Sequence, residues 1–485
     1  VRNLEGPLEA LDAHDQAALV RSGVLSAREL AEAAVARVEA ARTTVNAVSI
    51  TCYDQALDAA DRVKDRPDAP FAGVPFLLKD LGPACAGVEA TAGSAFLAGF
   101  TPARDSTLVE RFRAGGLLVL GKSATAEFGV LPTTEPVRFG PTRNPWDLGR
   151  SAGGSSGGAA AAVAAGLVPL AHANDAGGSI RIPAACCGVF GLKPTRARTP
   201  LGPDVGDLMN GLACEHVVSR SVRDSAAALD LIAGPAAGDP YCAPHFDGRF
   251  LDALSAPPRP LRIAFTVRPG TAALDPACAD AVRDAAQLCA DLGHDVVEDA
   301  PDVAVADVAD AFLDVWAAGV SSAVTGQGAA AGGRVPEPAL LEELTWWLYE
   351  KGRALSAAAY LLTVSRMQRA ARSLAAFHER YDVTISAVTS EPAPALGRFG
   401  RGTPQEQLHD ALGFAHETPL ANLTGQPAMS VPLHRAPTGL PVGVHFTGRL
   451  GDEATLLALA GQLEQARPWA AAPALTSTAA PATHL

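Results

Sequence analysis

Two glycine–serine turns are the places where this chain could do chemistry. Gly153-Gly154-Ser155-Ser156-Gly157-Gly158 and Ala176-Gly177-Gly178-Ser179 each put small residues and backbone N–H groups at an element boundary. A serine hydroxyl becomes a nucleophile only when a base takes its proton. Ser179 opens a helix expected over 180–187, and the N–H groups of Ala176, Gly177, Gly178 and Ser179 around it could hold a developing oxyanion. The same position suits an ordinary N-cap serine, and spacing alone does not choose between the two uses.

A base must come from elsewhere. The chain holds five lysines (Lys64, Lys79, Lys122, Lys193, Lys351) and otherwise writes its positive charges as arginine. Lys79 follows the apolar run Phe76-Leu77-Leu78, so burial can strip its proton near neutral pH, which an arginine does not allow. A shift of about three units disfavours the charged form by roughly 4 kcal/mol. A salt bridge to Asp80 is the competing use of Lys79. Lys193, within Gly191-Leu192-Lys193-Pro194-Thr195, reads as structural.

Other patterns fail on their context. Gly116-Leu117-Leu118-Val119-Leu120-Gly121-Lys122-Ser123 satisfies the phosphate-loop spacing, but Leu-Leu-Val-Leu between its glycines reads as a strand, not a flexible cradle. Gly153-Gly154-Ser155-Ser156-Gly157 satisfies G-x-S-x-G, yet the residues before it are loop-like and nothing singles out His216, His294 or His416 as a triad partner. The eight cysteines and eleven histidines show no ligand spacing, so neither a metal nor another cofactor is expected.

These side chains need a scaffold. The chain has 485 residues, 48% apolar and 19% charged, with net charge −13. An acidic body repels phosphate backbones, so no nucleic-acid partner is expected. The longest apolar stretch is placed at 159–171, too short for a bilayer, and no membrane partner is expected. Without the pattern of a secretory leader, the cysteines read as reduced thiols of a cytoplasmic protein. Ser26-Ala27-Arg28-Glu29 is a capping box opening a helix to about Arg42. Strands are expected near 76–78, 117–120, 167–171, 261–267, 295–297, 383–388, 428–432 and 442–446. Helices are expected over 107–114, 276–292 and 453–466, with a long helical region at 303–380 broken near 326–338. Strands alternating with helices predict an α/β layered fold. The segment 470–485, rich in Ala, Pro and Thr, is expected to fray.

The segments Gly153-Gly154-Ser155-Ser156-Gly157-Gly158, Asp175-Ala176-Gly177-Gly178-Ser179-Ile180-Arg181-Ile182-Pro183-Ala184 and Cys187-Gly188-Val189-Phe190-Gly191-Leu192-Lys193-Pro194-Thr195 together resemble the amidase signature of the amidase-signature serine hydrolases. The likeness runs nearly end to end. Gly73-Val74-Pro75-Phe76-Leu77-Leu78-Lys79-Asp80 resembles the family's lysine segment, and Asn422-Leu423-Thr424-Gly425-Gln426-Pro427-Ala428 its C-terminal region.

The resemblance implies one amidase domain over 1–485, with a signature core at about 70–200 and a variable pocket region at about 300–380. Its fold would be a large twisted mixed β-sheet covered on both faces by helices. It implies a Ser–Ser–Lys triad: Ser179 as nucleophile, Ser155 as bridging serine on a cis peptide after Gly154, and Lys79 as neutral base. Ala176, Gly177 and Gly178 would form the oxyanion hole. Gly129, Leu131 and Trp316 would line the substrate pocket, with Trp346-Trp347 either covering its mouth or packing a helix face. Small amides and water would be the reactants, with the protein a monomer or homodimer.

The chain departs from the family where Gly-Thr-Asp-Thr is common before the double glycine. Here Ala173-Asn174-Asp175-Ala176 follows His172. Asp175 and Arg181 read as a structural pair. His172, Asn174-Asp175, Thr133-Thr134-Glu135-Pro136 and Arg143-Asn144-Pro145-Trp146 are most similar to the 6-aminohexanoate-cyclic-dimer hydrolase branch. That branch implies linear or cyclic amides, anilides or carbamates as substrates. The alternative within the family is the glutaminase subunit of a glutamyl-tRNA(Gln) amidotransferase.

Overall fold

A computed structural model of the protein describes residues 7–469 apart from 67 and 304. The segment 470–485, expected to fray, lies outside the described residues. Thirteen strands follow in chain order: β1 Val48–Thr51, β2 Pro75–Lys79, β3 Leu118–Ser123, β4 Arg143–Asn144, β5 Asp147–Ser151, β6 Leu170–Asp175, β7 Phe190–Lys193, β8 Cys214–Ser219, β9 Arg262–Phe265, β10 Asp295–Glu298, β11 Val383–Ala387, β12 Ala428–Arg435 and β13 Pro441–Gly448. Eleven of them form one sheet in the order β1-β3-β2-β6-β8-β7-β12-β13-β11-β9-β10, while β4 and β5 pair separately. The sheet is mixed: β2 lies parallel to β3 and β6, whereas β6–β8, β7–β12 and β12–β13 are antiparallel.

Strand β2 reads as an apolar run because both of its faces are covered. In β2, Phe76 and Leu78 join Phe112, Leu108 and Ile232 on one face, while Leu77 joins Ala34, Val38 and Ala160 on the other. In β8, Val217 and Val218 divide in the same way. This is the two-residue period of a strand feeding two cores at once. Each fully buried Phe or Leu contributes about 1.5–3 kcal/mol relative to exposure.

The capping box forms as expected. Ser26 accepts from the Glu29 N–H and Glu29 accepts from the Ser26 N–H, starting the helix Ala27–Ala41. The phosphate-loop match is strand β3, fully buried. The helical region is three helices, Val305–Ala330, Glu343–Ala354 and Ala357–Phe377.

Val308–Ala330 is long and apolar enough to cross a bilayer by composition, although Asp310 and Asp314 interrupt its run. Its apolar face packs instead on the protein: Phe312, Val315, Ala317, Val320 and Val324 are buried among Leu344, Leu348, Val364 and Met367.

Candidate active site

Lys79 is the last residue of β2, and no part of it reaches solvent. Its Nζ donates to Ser155 Oγ at 2.7 Å and to Asn174 Oδ1 at 2.6 Å. Burial pulls its pKa down to about 7, against the opposing pull of the Glu215 and Asp175 carboxylates. The alternative salt bridge to Asp80 does not form. The Asp80 carboxylate accepts from the N–H of Thr91 at 2.9 Å and from the Thr91 hydroxyl.

Ser155 sits in the turn between β5 and the helix Gly157–Ala164, and the Gly154–Ser155 peptide is cis. The turn is packed too tightly for side chains: a Cβ at Gly154 would lie 2.4 Å from the Thr133 carbonyl oxygen. The Thr134 hydroxyl stitches it, donating to Gly153 O at 3.0 Å and accepting from the Gly157 N–H at 2.9 Å.

Ser179 lies between β6 and the helix Arg181–Cys187. The helix begins two residues after Ser179, with Ile180 in the N-cap position and no side-chain cap, so the N-cap reading of Ser179 fails. Asp175 shapes the turn instead. Its Oδ1 accepts from the Gly178 N–H at 2.7 Å and its Oδ2 from the Ile180 N–H at 3.1 Å. This corrects the expected oxyanion set: the Gly178 N–H is occupied within the protein. Among the described residues, the N–H groups of Ala176, Gly177 and Ser179 donate to no protein acceptor.

Arg181 holds Asp175 from the other side. Its Nε and one terminal nitrogen donate to the two carboxylate oxygens at 2.9 and 2.8 Å. Its remaining donors meet Thr418 O, Asn422 Oδ1 and His445 Nε2. Burial alone would raise the Asp175 pKa, but Arg181 and these hydrogen bonds hold it well below the usual carboxylate range.

A cleft opens beside Ser179. Gly129, Leu131, Gly177 and Trp316 all line it, with Phe312, Leu408, Leu412 and Ile182 among the other walls. A Cβ on Gly177 would meet Phe312 Cζ at 3.1 Å and Trp316 Cζ3 at 3.4 Å. Gly129 adopts φ +72°, and a Cβ there would come within 3.3 Å of Ser155 Oγ. Ala176 packs partly buried behind the turn, against the cluster that includes Phe312 and Trp316. Trp346 and Trp347 do not line the cleft; they pack with Leu131 and Trp316 in the adjoining apolar cluster.

Sequence reasoning missed the wall from the helix Pro404–Phe414, whose signal is Leu408, Ala411 and Leu412 on one helical face, continued by Ala415. It also missed Glu215, on β8 two strands over from Lys79, for which no local signal exists. His216, His294 and His416 make no hydrogen bond to either serine. His216 accepts from the Val217 N–H and His294 pairs with Gln462, while His416 has no partner among the described residues.

The Amidase family model matches residues 29–457. The chain is 40% identical over 476 residues to a 6-aminohexanoate-cyclic-dimer hydrolase of Pseudomonas sp. (strain NK87), covering 95% of each chain. The structure of 6-aminohexanoate cyclic dimer hydrolase complexed with substrate superposes with TM-score 0.87 at 36% identity, covering 96% of this chain and 98% of that one. A bacterial aryl acylamidase of the amidase-signature enzymes also superposes with TM-score 0.87, at 27% identity and the same coverage. A mixed sheet clad in helices, a family match across most of the chain and relatives that hydrolyse amides agree: this chain belongs to the Amidase family and is a hydrolase of amide carbon–nitrogen bonds.

Proposed function

We propose that the protein hydrolyses small uncharged amides through an acyl-enzyme, with Ser179 as nucleophile, Ser155 as bridge and Lys79 as base. The contact of 2.7 Å between a fully buried Lys79 Nζ and Ser155 Oγ carries the reading. Neutral Lys79 accepts the Ser155 proton while Ser155 takes that of Ser179. The Ser179 oxygen forms a bond to the amide carbonyl carbon, and the C=O pair moves onto oxygen. The free N–H groups of Ala176, Gly177 and Ser179 stabilise that oxyanion. The proton returns through Ser155 to the leaving nitrogen as the C–N bond breaks. Water then cleaves the ester by the same relay, releasing acid and restoring Ser179.

The cleft supports uncharged substrates. None of its lining residues is charged, and Leu131, Ile182, Phe312, Leu313, Trp316, Leu408 and Leu412 dominate it. A charged group buried there would be desolvated without a partner, which costs several kcal/mol. The relatives named for a cyclic 6-aminohexanoate dimer fit this preference, because a cyclic amide has no termini to ionise. Glutamine, with its ammonium and carboxylate, does not, and the amidotransferase reading loses its main support.

Amine or acid release from cyclic and linear 6-aminohexanoate dimers, anilides, a carbamate and glutamine, compared with Ser179→Ala, tests this. Turnover of the cyclic dimer or an anilide that vanishes in the variant is the expected result. Turnover of glutamine alone, or activity that survives Ser179→Ala, overturns it.

A further inference from the structure

A closed ring of hydrogen bonds begins and ends on Lys79. The Lys79 backbone N–H donates to His172 Nδ1 at 3.2 Å. His172 Nε2 meets Glu215 Oε2 at 2.7 Å. Asn174 Nδ2 donates to Glu215 Oε1 at 3.3 Å, and Lys79 Nζ returns the ring to Asn174 Oδ1 at 2.6 Å. His172 and Glu215 are buried, and Gly82 closes tightly over the ring: a Cβ there would lie 2.8 Å from Glu215 Oε1 and 2.9 Å from Asn174 Nδ2.

Each role in the ring is forced. A backbone N–H can only donate, so His172 Nδ1 must accept and the imidazole proton must sit on Nε2, facing Glu215. The other Asn174 Nδ2 proton goes to Leu81 O at 2.9 Å, so both amide protons are spent and Oδ1 must face the lysine. A neutral lysine amine has two protons and one lone pair. With one proton committed to Asn174, the amine is held where its lone pair can meet the Ser155 proton.

We propose that Asn174 and Glu215, hydrogen-bonded directly to each other with His172 bracing Glu215, are positioning residues for Lys79: Asn174 orients the amine, and Glu215 places a buried negative charge behind Asn174. This rests on the reading of Lys79 as base. Asn174 Oδ1 has no proton to exchange, so it orients without relaying. Glu215 contributes charge. The ionisable groups facing Lys79 are His172 and Asp175 from β6, Glu215 from β8 and, farther along β3, Lys122, which donates to Pro83 O at 2.9 Å. Asp175 is paired with Arg181, and burial keeps His172 uncharged by lowering its pKa. Glu215, the larger of the two opposing charges, and Asp175 together keep the lysine from falling far below neutrality.

The test is the pH dependence of two readouts: kcat/KM for a neutral amide, and the rate at which a fluorophosphonate labels Ser179, followed by mass spectrometry. Glu215→Gln removes the charge while keeping the shape. Its acid limb should move to lower pH by about one unit in both readouts. Asn174→Ala should lower kcat about 100-fold with KM within about threefold, because orientation is lost and substrate contacts are not. A Glu215→Gln protein with wild-type melting and an unmoved limb overturns the proposal. So does Asn174→Ala that raises KM and spares kcat, a test that stands even if Glu215→Gln does not fold. Failure of the underlying reading looks different: Lys79→Met would then retain activity and labelling.

Discussion

Lys79 Nζ stands 2.7 Å from Ser155 Oγ at a depth no solvent reaches. A lysine so placed acts as a base only when neutral, and its pKa is about 7. Below that value the ammonium has no lone pair to offer. Activity should therefore rise about tenfold per pH unit on the acid side and level off above pH 7 to 8. A pH–rate profile on a neutral amide checks this, and a flat profile down to pH 5 would count against Lys79 as base. Lys79→Arg should stay inactive across the range, because a guanidinium does not deprotonate.

Ser179→Ala should reduce turnover by at least about 1,000-fold. The same substitution should change unfolding free energy by less than about 1 kcal/mol, since Ser179 caps no helix. Fluorophosphonate treatment of the wild type should add one adduct mapping to Ser179. An adduct on Ser155 instead would reverse the assigned roles of the two serines.

The aromatic wall offers a separable effect. Trp316 stacks on Phe312 with ring centroids 5.4 Å apart, beside Gly177. Trp316→Ala should raise KM for an apolar amide about tenfold and leave kcat within about threefold, as loss of uniform binding does. Steady-state kinetics decide it, and a fall in kcat with unchanged KM would place Trp316 in the chemistry instead.

The Asp175–Arg181 pair supports the turn that carries Ser179. Arg181→Ala should cost about 3–5 kcal/mol in urea unfolding, because it leaves a buried carboxylate without its partner. Arg181→Lys should recover only part of that, since one ammonium cannot replace donors aimed at Asp175, Thr418, Asn422 and His445. The folded-state pKa of Asp175 is depressed, so its stabilisation is present above about pH 4 and lost as pH falls through the folded value. Acid unfolding of the wild type and of Arg181→Ala should converge at low pH.

Elements with local signals were legible in the chain. The Ser26–Glu29 capping box acts over three residues, and the helix Glu453–Ala466 begins and ends as its apolar spacing predicts. The strand expected at 117–120 is observed at Leu118–Ser123, because a run of branched apolar residues between glycines suits a pleated, buried strand. Short strands without such runs were not legible. Val48–Thr51, Phe190–Lys193 and Cys214–Ser219 exist because a neighbour supplies their hydrogen bonds, and β8 takes its place between β6 and β7.

The sequence by itself determined the family and its reaction class and supplied the candidate residues, because glycine–serine turns and a lysine after an apolar strand are patterns of near neighbours. Only the tertiary structure decided what those residues touch. It buried Lys79 against Asn174 and Glu215, gave the Gly178 N–H to Asp175, and built the cleft from segments around 129–132, 177–182, 312–316 and 408–419. A carboxylate on another strand can set the charge of a lysine because burial removes the water that would screen it. That proximity is a property of the packed sheet, and residue order along the chain carries no trace of it.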